Sequence, residues 1–169
     1  MYSAKDIAMY FLKKDIDNRI FNLNLVMYND KTFYEGNCRL NKMIQISQNI
    51  YYAGTGEKLI EEEMYAYNNG GVVPEIQENY KNLLKEKNEY IVNIDDKKLT
   101  KILDEVYNSF GEHMHIADVI RISHQDPEWQ RKNKFSEKEF QKMDLNNMGN
   151  GAYMAKMKNL AYMIGGYDV

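Results

Sequence analysis

The three histidines, His113, His115 and His124, are the side chains best suited to acid–base or metal chemistry. Residues two apart on a helix point about 200° away from each other, so His113 and His115 cannot both bind one metal ion from a regular helix. His115 and Asp118 could share a face, but two ligands do not make a zinc site, and the single cysteine, Cys38, is distant in sequence. His124 has no evident nucleophile or orienting partner, and it can instead cap a helix C-terminus. We therefore expect no catalytic residue, no metal and no cofactor.

Two glycine-containing segments could present backbone amides to a phosphate. Residues 54–58 read Gly-Thr-Gly-Glu-Lys, but they lack the spacing of a phosphate loop and follow a predicted helix instead of a strand. A helix end and a turn explain them better. Residues 69–75 place two glycines before a helix N-terminus, where an anion can bind, although Glu75 and Glu78 would repel it. An anion site, a structural turn and a protein-contact loop all remain open for residues 69–75.

Composition narrows the class of protein. The chain has 169 residues, which suits one domain, and its 44% hydrophobic content is too high for a disordered chain. A net charge of −3 without a long basic run argues against direct nucleic-acid binding, because phosphate neutralisation supplies most of that affinity. No apolar run approaches the roughly 18 residues of a membrane span, and Lys5 and Asp6 interrupt any secretory signal. With a single cysteine, Cys38, we expect a cytoplasmic protein.

The spacing of apolar residues predicts an all-α fold, a mainly helical single domain of six to seven helices. Apolar stripes recur at residues 4–11, 40–51, 76–84, 99–110, 116–123 and 153–164. Short extended segments are predicted at residues 63–67, where polar and apolar residues alternate, and at residues 90–94. Start signals accompany three helices: Ser3 for the first, Asp95 or Asp96 for the helix at 99–110, and a Ser136–Glu139 capping box for a short helix near the C-terminus.

Residues 40–51 are apolar on two sides, which is typical of a helix at the centre of its bundle, and Gly54 is predicted to end this helix. Residues 14–39 show no clear period apart from a turn at 29–31. We treat residues 14–39 as a variable connection of uncertain structure.

Six segments occur in an order and spacing that are moderately specific to one family. They are SAKDIAMYFL (3–12), LNKMI (40–44), YYAG (51–54), YNNGGVVPEI (67–76), FG (110–111) and ISHQDPEW (122–129). Together they resemble the SocA-like antitoxin family, also called the Panacea domain, whose members include phage-associated proteins. Residues 67–76 are similar to the family pattern W-x-x-G-P-V-V-P-E-V, and residues 122–129 to L-T-H-x-E-x-P-W. Gly71 stands in place of the usual proline, and Pro127 is displaced from its usual position against Trp129.

The resemblance covers residues 3–13 and 40–129. It implies a helical domain at residues 1–130, in which 14–39 is a variable insertion, and a C-terminal helical extension at 131–169 that packs on it. It also implies neutralisation of a cognate toxin, usually encoded next door, without catalytic groups. Members pair with chemically unrelated toxins, and one branch delivers its toxin to a protease.

Our leading hypothesis is an antitoxin, not an enzyme, that binds a protein toxin directly. The predicted partner-binding residues are Lys42, Asn69, Gly70, Gly71, Val72, Val73, Pro74, Glu75, His124 and Trp129. Prolines, glycines and tryptophans also specify folds, so a purely structural role for these residues stays open. The alternative function is a phage or mobile-element protein that binds a host or defence component, or a protease adaptor, without a paired toxin. An enzyme would need a pocket around His124.

Overall fold

A computed structural model describes residues 1–133 and 139–168 of the chain. The predicted mainly helical fold is confirmed, with eight α-helices among the described residues instead of six or seven. The helices are α1 (Ala4–Lys14), α2 (Glu35–Thr55), α3 (Pro74–Glu78), α4 (Tyr80–Glu86), α5 (Lys97–Phe110), α6 (Ile116–Ser123), α7 (Pro127–Asn133) and α8 (Ala152–Leu160). A 3₁₀ turn at Leu145–Asn147 precedes α8, and a π-helical turn at Ala161–Gly165 follows it.

Helix α2 is the centre of the fold, as its two apolar sides predict. It packs against α1, α5, α6 and α8, and every residue from 39 to 51 is buried. The helix begins five residues before the predicted apolar stripe. The helix ends at Thr55, and its C-cap is Gly56, whose φ of 75° is the left-handed conformation that favours glycine. The prediction that the helix ends at Gly54 is therefore wrong.

The predicted caps of the first helix and of α5 are present. The Ser3 hydroxyl accepts a hydrogen bond from the Asp6 amide at 3.0 Å. Asp96, the second of the two candidates, accepts from the amides of Lys98 and Leu99 and so starts α5. The buried face of α5 then follows the predicted stripe: Leu99, Ile102, Leu103 and Val106.

Residues 14–39 are more ordered than their sequence indicates. The carboxylate of Asp15, 4% exposed, accepts hydrogen bonds from the amides of Arg19, Ile20 and Phe21 at 3.1, 2.9 and 2.7 Å. The ammonium of Lys87 donates to the carbonyls of Leu12 and Asp15 and to the Asn18 side chain. The loop that follows α1 is therefore held by a network of buried polar contacts.

A hairpin follows that loop, formed by β1 (Leu25–Tyr28) and β2 (Lys31–Tyr34). Its two turn residues, Asn29 and Asp30, have positive φ angles of 49° and 63°, as a tight hairpin turn requires. One face of the hairpin, including Val26, packs on the buried side of α6. The opposite face leaves Leu25 and Met27 exposed by 64% and 72%.

A second hairpin and the C-terminal segment complete the structure. Strand β3 (Tyr65–Tyr67) pairs with β4 (Gly70–Val72) on one side and with β5 (Gln141–Lys142) on the other. The extended segment predicted at 63–67 thus contains strand β3, whereas residues 90–94 form no strand.

The sequence predicts a short helix that starts at Ser136 and a C-terminal helical extension that packs on the rest of the protein. Ser136, the predicted start of a short helix, lies outside the described residues, and Gln141 and Lys142 are extended. Helix α8 packs against α2. The division into domains at residue 130 stays a prediction.

None of the helices in the described ranges has the length and hydropathy that a bilayer crossing requires.

Asp15→Asn should lower the free energy of unfolding by about 2 kcal/mol, because an amide NH₂ would face at least one of the backbone N–H groups that now bind a carboxylate oxygen. The exposed Asp95 supplies the control, and Asp95→Asn should change stability by less than about 0.5 kcal/mol. Urea denaturation measures both. Equal stability of the two variants would show that the Asp15 contacts do not hold this loop.

Candidate functional site

Helix α2 buries a polar face as well as apolar ones. Its buried polar residues are Arg39, Asn41, Lys42, Gln45, Ser47, Gln48 and Asn49. Asn41, Lys42 and Gln45 bind the backbone of the second hairpin and its exit, and Gln45 and Asn49 bind Asp126. This face therefore fixes both segments that the sequence analysis predicts as partner-binding.

Three side chains of α2 hold strand β4 and its exit. The Gln45 side chain accepts from the Gly71 amide, and the Lys42 ammonium donates to the Gly71 carbonyl, each at 2.9 Å. Asn41 accepts from the Val73 amide at 2.9 Å. Together these contacts satisfy backbone groups that β-pairing alone leaves buried.

The two glycines of the hairpin are required by this close approach. Gly70 has a φ of +117°, and a Cβ atom there would lie 2.3 Å from the hydroxyl of Ser123. A Cβ at Gly71 would lie 2.7 Å from the Gln45 side chain. Because both positions face packed protein, the structure gives these glycines a role in the fold, not in anion binding.

Asp126 joins α2 to the start of α7. Its carboxylate is fully buried, and one oxygen accepts from the side-chain amides of Gln45 and Asn49 at 3.0 and 2.8 Å. The other oxygen accepts from the backbone amides of Glu128 and Trp129 at 2.9 and 3.3 Å, which caps α7. Four donors compensate the cost of burying this charge.

Trp129 and His124 both contact the second hairpin at its turn. The indole N–H of Trp129 donates to the Tyr67 carbonyl at 2.7 Å, and its ring stacks on His124 with centroids 3.8 Å apart. His124 also hydrogen-bonds to the backbone of Asn68, and its Nε2 is buried without a partner in the described structure. Burial is the largest influence on this imidazole and lowers the pKa of His124. A neutral histidine therefore belongs to the folded state.

Most of the predicted partner-binding residues meet in space. Lys42, residues 69–73, His124 and Trp129 form one group, which we call the hairpin cluster. Pro74 and Glu75 begin α3, and Glu75 borders a different depression, near Lys5 and Glu62.

The side chains of the hairpin cluster differ in solvent exposure. Val73 is fully buried, Lys42 is 4% exposed and Trp129 is 8% exposed, so these side chains hold the fold, while Asn69 is partly exposed. A partner contact by any of them stays a prediction. His113 and His115 are exposed, and among the described residues no group of three or more His, Cys, Asp or Glu side chains could hold a metal ion.

A depression of about 280 Å³ lies between the two hairpins, and we call it the interhairpin pocket. Phe33 and Tyr34 of β2 line one side, Tyr67 and Asn69 line the other, and Lys42 also contributes to its lining. Phe140, 47% exposed, stacks on Tyr67 with centroids 3.9 Å apart. The contributions of β2 and Phe140 could not be predicted from the sequence, because no pattern in the chain connects them to the second hairpin.

Asp126→Asn should lower the free energy of unfolding by about 3 kcal/mol, because the new NH₂ group would face two N–H donors in either orientation. Asp118→Asn is the control, since its carboxylate forms an exposed ion pair with Arg121 at 2.7 Å and should contribute less than about 1 kcal/mol. Urea denaturation of both variants measures the difference. An Asp126→Asn protein as stable as wild type would contradict the structural role assigned to this carboxylate.

His124 should make the fold sensitive to mild acid. Since its pKa is lower in the folded chain than the ordinary 6.5, the unfolded chain binds more protons once the pH falls through that range, and the folded state loses stability. We expect wild type to lose more stability than His124→Phe between pH 8 and pH 5, as measured by denaturation at each pH. Parallel curves for the two proteins would exclude His124 as the responsible group.

Comparison with known proteins identifies one family that matches the chain. The family described as "Antitoxin SocA-like, Panacea domain" matches residues 40–130, a stretch that runs from α2 into α7 and includes the whole hairpin cluster. No match is found among curated proteins or among solved structures. Because the match covers more than half of the chain and agrees with the resemblance in the sequence, the protein belongs to the SocA-like antitoxin family with a Panacea domain.

Proposed function

We propose that this protein is an antitoxin that neutralises a cognate toxin, encoded in its neighbourhood, by direct protein–protein binding in the cytoplasm. Its family membership supports an antitoxin role. Neutralisation by binding needs neither a catalytic residue nor a cofactor. The single thiol, Cys38, suits a reducing compartment.

The observation that carries the proposal is an exposed apolar surface beside the interhairpin pocket. Leu25 and Met27 on the outer face of β1 are paired across the hairpin with Tyr34 and Thr32, which line the pocket. Phe140, 47% exposed, lines the same pocket and stacks on Tyr67. Exposed apolar side chains around a depression are typical of a protein interaction site.

The buried members of the hairpin cluster support this surface. Asp126, Gln45 and Lys42 fix the second hairpin through buried hydrogen bonds, so Tyr67 and Asn69 are held in place before any partner arrives. A preorganised surface loses little conformational entropy on binding. We therefore assign partner contact to the exposed rim, formed by Met27, Thr32, Tyr67, Asn69 and Phe140.

Expression of the neighbouring open reading frame, alone and together with this protein, tests the function. We expect arrested growth with the neighbour alone, normal growth with both, and a complex that co-purifies. A harmless neighbour, or rescue without a complex, would contradict direct neutralisation. Either result would favour a phage or mobile-element protein that binds a host or defence component, or a protease adaptor.

Two methionines with nearly equal exposure allow a matched test of the surface. Met27, 72% exposed, lies beside the interhairpin pocket, whereas Met163, 70% exposed, lies in the C-terminal π-helical turn. Met27→Ser and Phe140→Ala should each weaken toxin binding about tenfold or more, because both remove apolar contact area, with melting temperatures unchanged. Met163→Ser should bind as wild type does. Calorimetric titration measures all three, and equal affinities throughout would place the contact elsewhere.

A further inference from the structure

Lys42 is a buried ammonium with spare hydrogen-bond donors. Its side chain carries three N–H groups, and the described structure provides one acceptor, the Gly71 carbonyl at 2.9 Å. None of the ion pairs among the described residues includes it. Burial is the largest influence on Lys42 and lowers its pKa.

Lys87, the other buried lysine among the described residues, shows what a fully satisfied ammonium looks like. Lys87, 3% exposed, donates to three acceptors: the carbonyls of Leu12 and Asp15 and the side chain of Asn18. The carboxylates of Asp15 and Asp17 also stabilise its charge. Among the described residues Lys42 has one acceptor and no carboxylate partner, although burying an unpaired charge costs stability. Two of its N–H groups thus have no acceptor in the described part of the chain.

The interhairpin pocket places an acceptor bound within it next to the Lys42 side chain, which forms part of its lining. The described residues that line it are Lys31, Thr32, Phe33, Tyr34, Asn37, Cys38, Lys42, Tyr67, Asn68, Asn69, Val72, Gln77 and Phe140. Two of them are lysines and none is acidic, although the whole chain has a net charge of −3. The pocket thus complements a negative charge, and its aromatic walls complement an apolar neighbour of that charge.

We propose that the interhairpin pocket binds an aspartate or glutamate side chain of the toxin, whose carboxylate accepts hydrogen bonds from the Lys42 ammonium. The volume of about 280 Å³ accommodates this side chain and part of the next residue, which packs against Phe140 and Tyr67. This inference rests on the proposed function, since it names the chemistry by which the partner is recognised. The buried position of Lys42 makes the contact strong, because a charge-assisted hydrogen bond gains strength away from water.

The experiment uses three dipeptide probes on the intact protein, with lysine labelled at ¹³Cε and ¹⁵Nζ. The probes are acetyl-glutamyl-phenylalanine amide, acetyl-glutaminyl-phenylalanine amide, and acetyl-glutaminyl-phenylalanine with a free terminal carboxylate. We expect the glutamyl amide to shift the Lys42 signal saturably and to bind at least about tenfold more tightly than the glutaminyl amide. Equal binding of these two, no shift, or tighter binding of the free terminal carboxylate would overturn the proposal.

Lys42→Met removes the ammonium and keeps a side chain of similar length, so it should abolish the preference for glutamate. Lys31→Met, at an exposed lysine that lines the same pocket, is the matched control and should retain that preference. If Lys42→Met fails to fold, Thr32→Trp serves instead, because it fills the mouth of the pocket without changing Lys42 and should abolish the shift. A glutamate preference that persists in Lys42→Met, or an unchanged shift in Thr32→Trp, would overturn the assignment.

The probes and the growth assay can fail separately. A protein that prefers the glutamyl probe but does not rescue growth would keep the pocket chemistry and lose the antitoxin function. A protein that rescues growth but binds both amide probes equally would keep the function and lose the assigned contact.

Discussion

The requirement that buried polar groups find partners determines how this protein is assembled. Helix α2 lies at the centre and buries seven polar side chains. All of them but Ser47 have hydrogen-bond partners among the described residues. Because a buried polar group without a partner costs stability, the segments around α2 must supply donors and acceptors at fixed places. The backbone of β4 and the carboxylate of Asp126 meet this requirement, and their positions in turn fix β3 and α7.

Under the proposed function, stability and partner contact depend largely on different residues of the same segments, and Lys42 serves both. In the second hairpin, the glycines and Val72 face inward, while the turn reaches the surface at Asn68 and Asn69. In the segment that follows α6, Asp126 and Trp129 hold the hairpin. The rigid part of each segment thus positions the accessible part, which is the usual relation between a scaffold and the loops it presents.

Much of the helical framework could be predicted from local patterns. Ser3 and Asp96 are caps whose partners lie within three residues, and the apolar faces of α2 and α5 repeat with the helical period. The resemblance to the antitoxin family was also visible in residues 67–76 and 122–129. These features depend on neighbours in sequence, which a single chain displays directly.

The features that sequence reasoning missed depend on distant neighbours. The period of α2 does not show that Gln45 and Asn49 are buried, because their partner, Asp126, is far along the chain. Helix α7 has only two buried residues and therefore no apolar stripe, although Asp126 before Pro127 is a recognisable start signal. Strand β5 has two residues, too few for any alternation, and is defined by its pairing with β3.

The position of the interhairpin pocket relative to the family match has a consequence for evolution. The residues that fix the second hairpin lie within 40–130, whereas Met27, Thr32, Tyr34 and Phe140 lie outside that stretch. Under the proposed function, substitutions in the flanking segments can alter the choice of partner while the internal hydrogen bonds stay intact. The choice of partner and the ability to fold can then change independently. Such a protein can adapt to a changing toxin through a series of variants that all still fold.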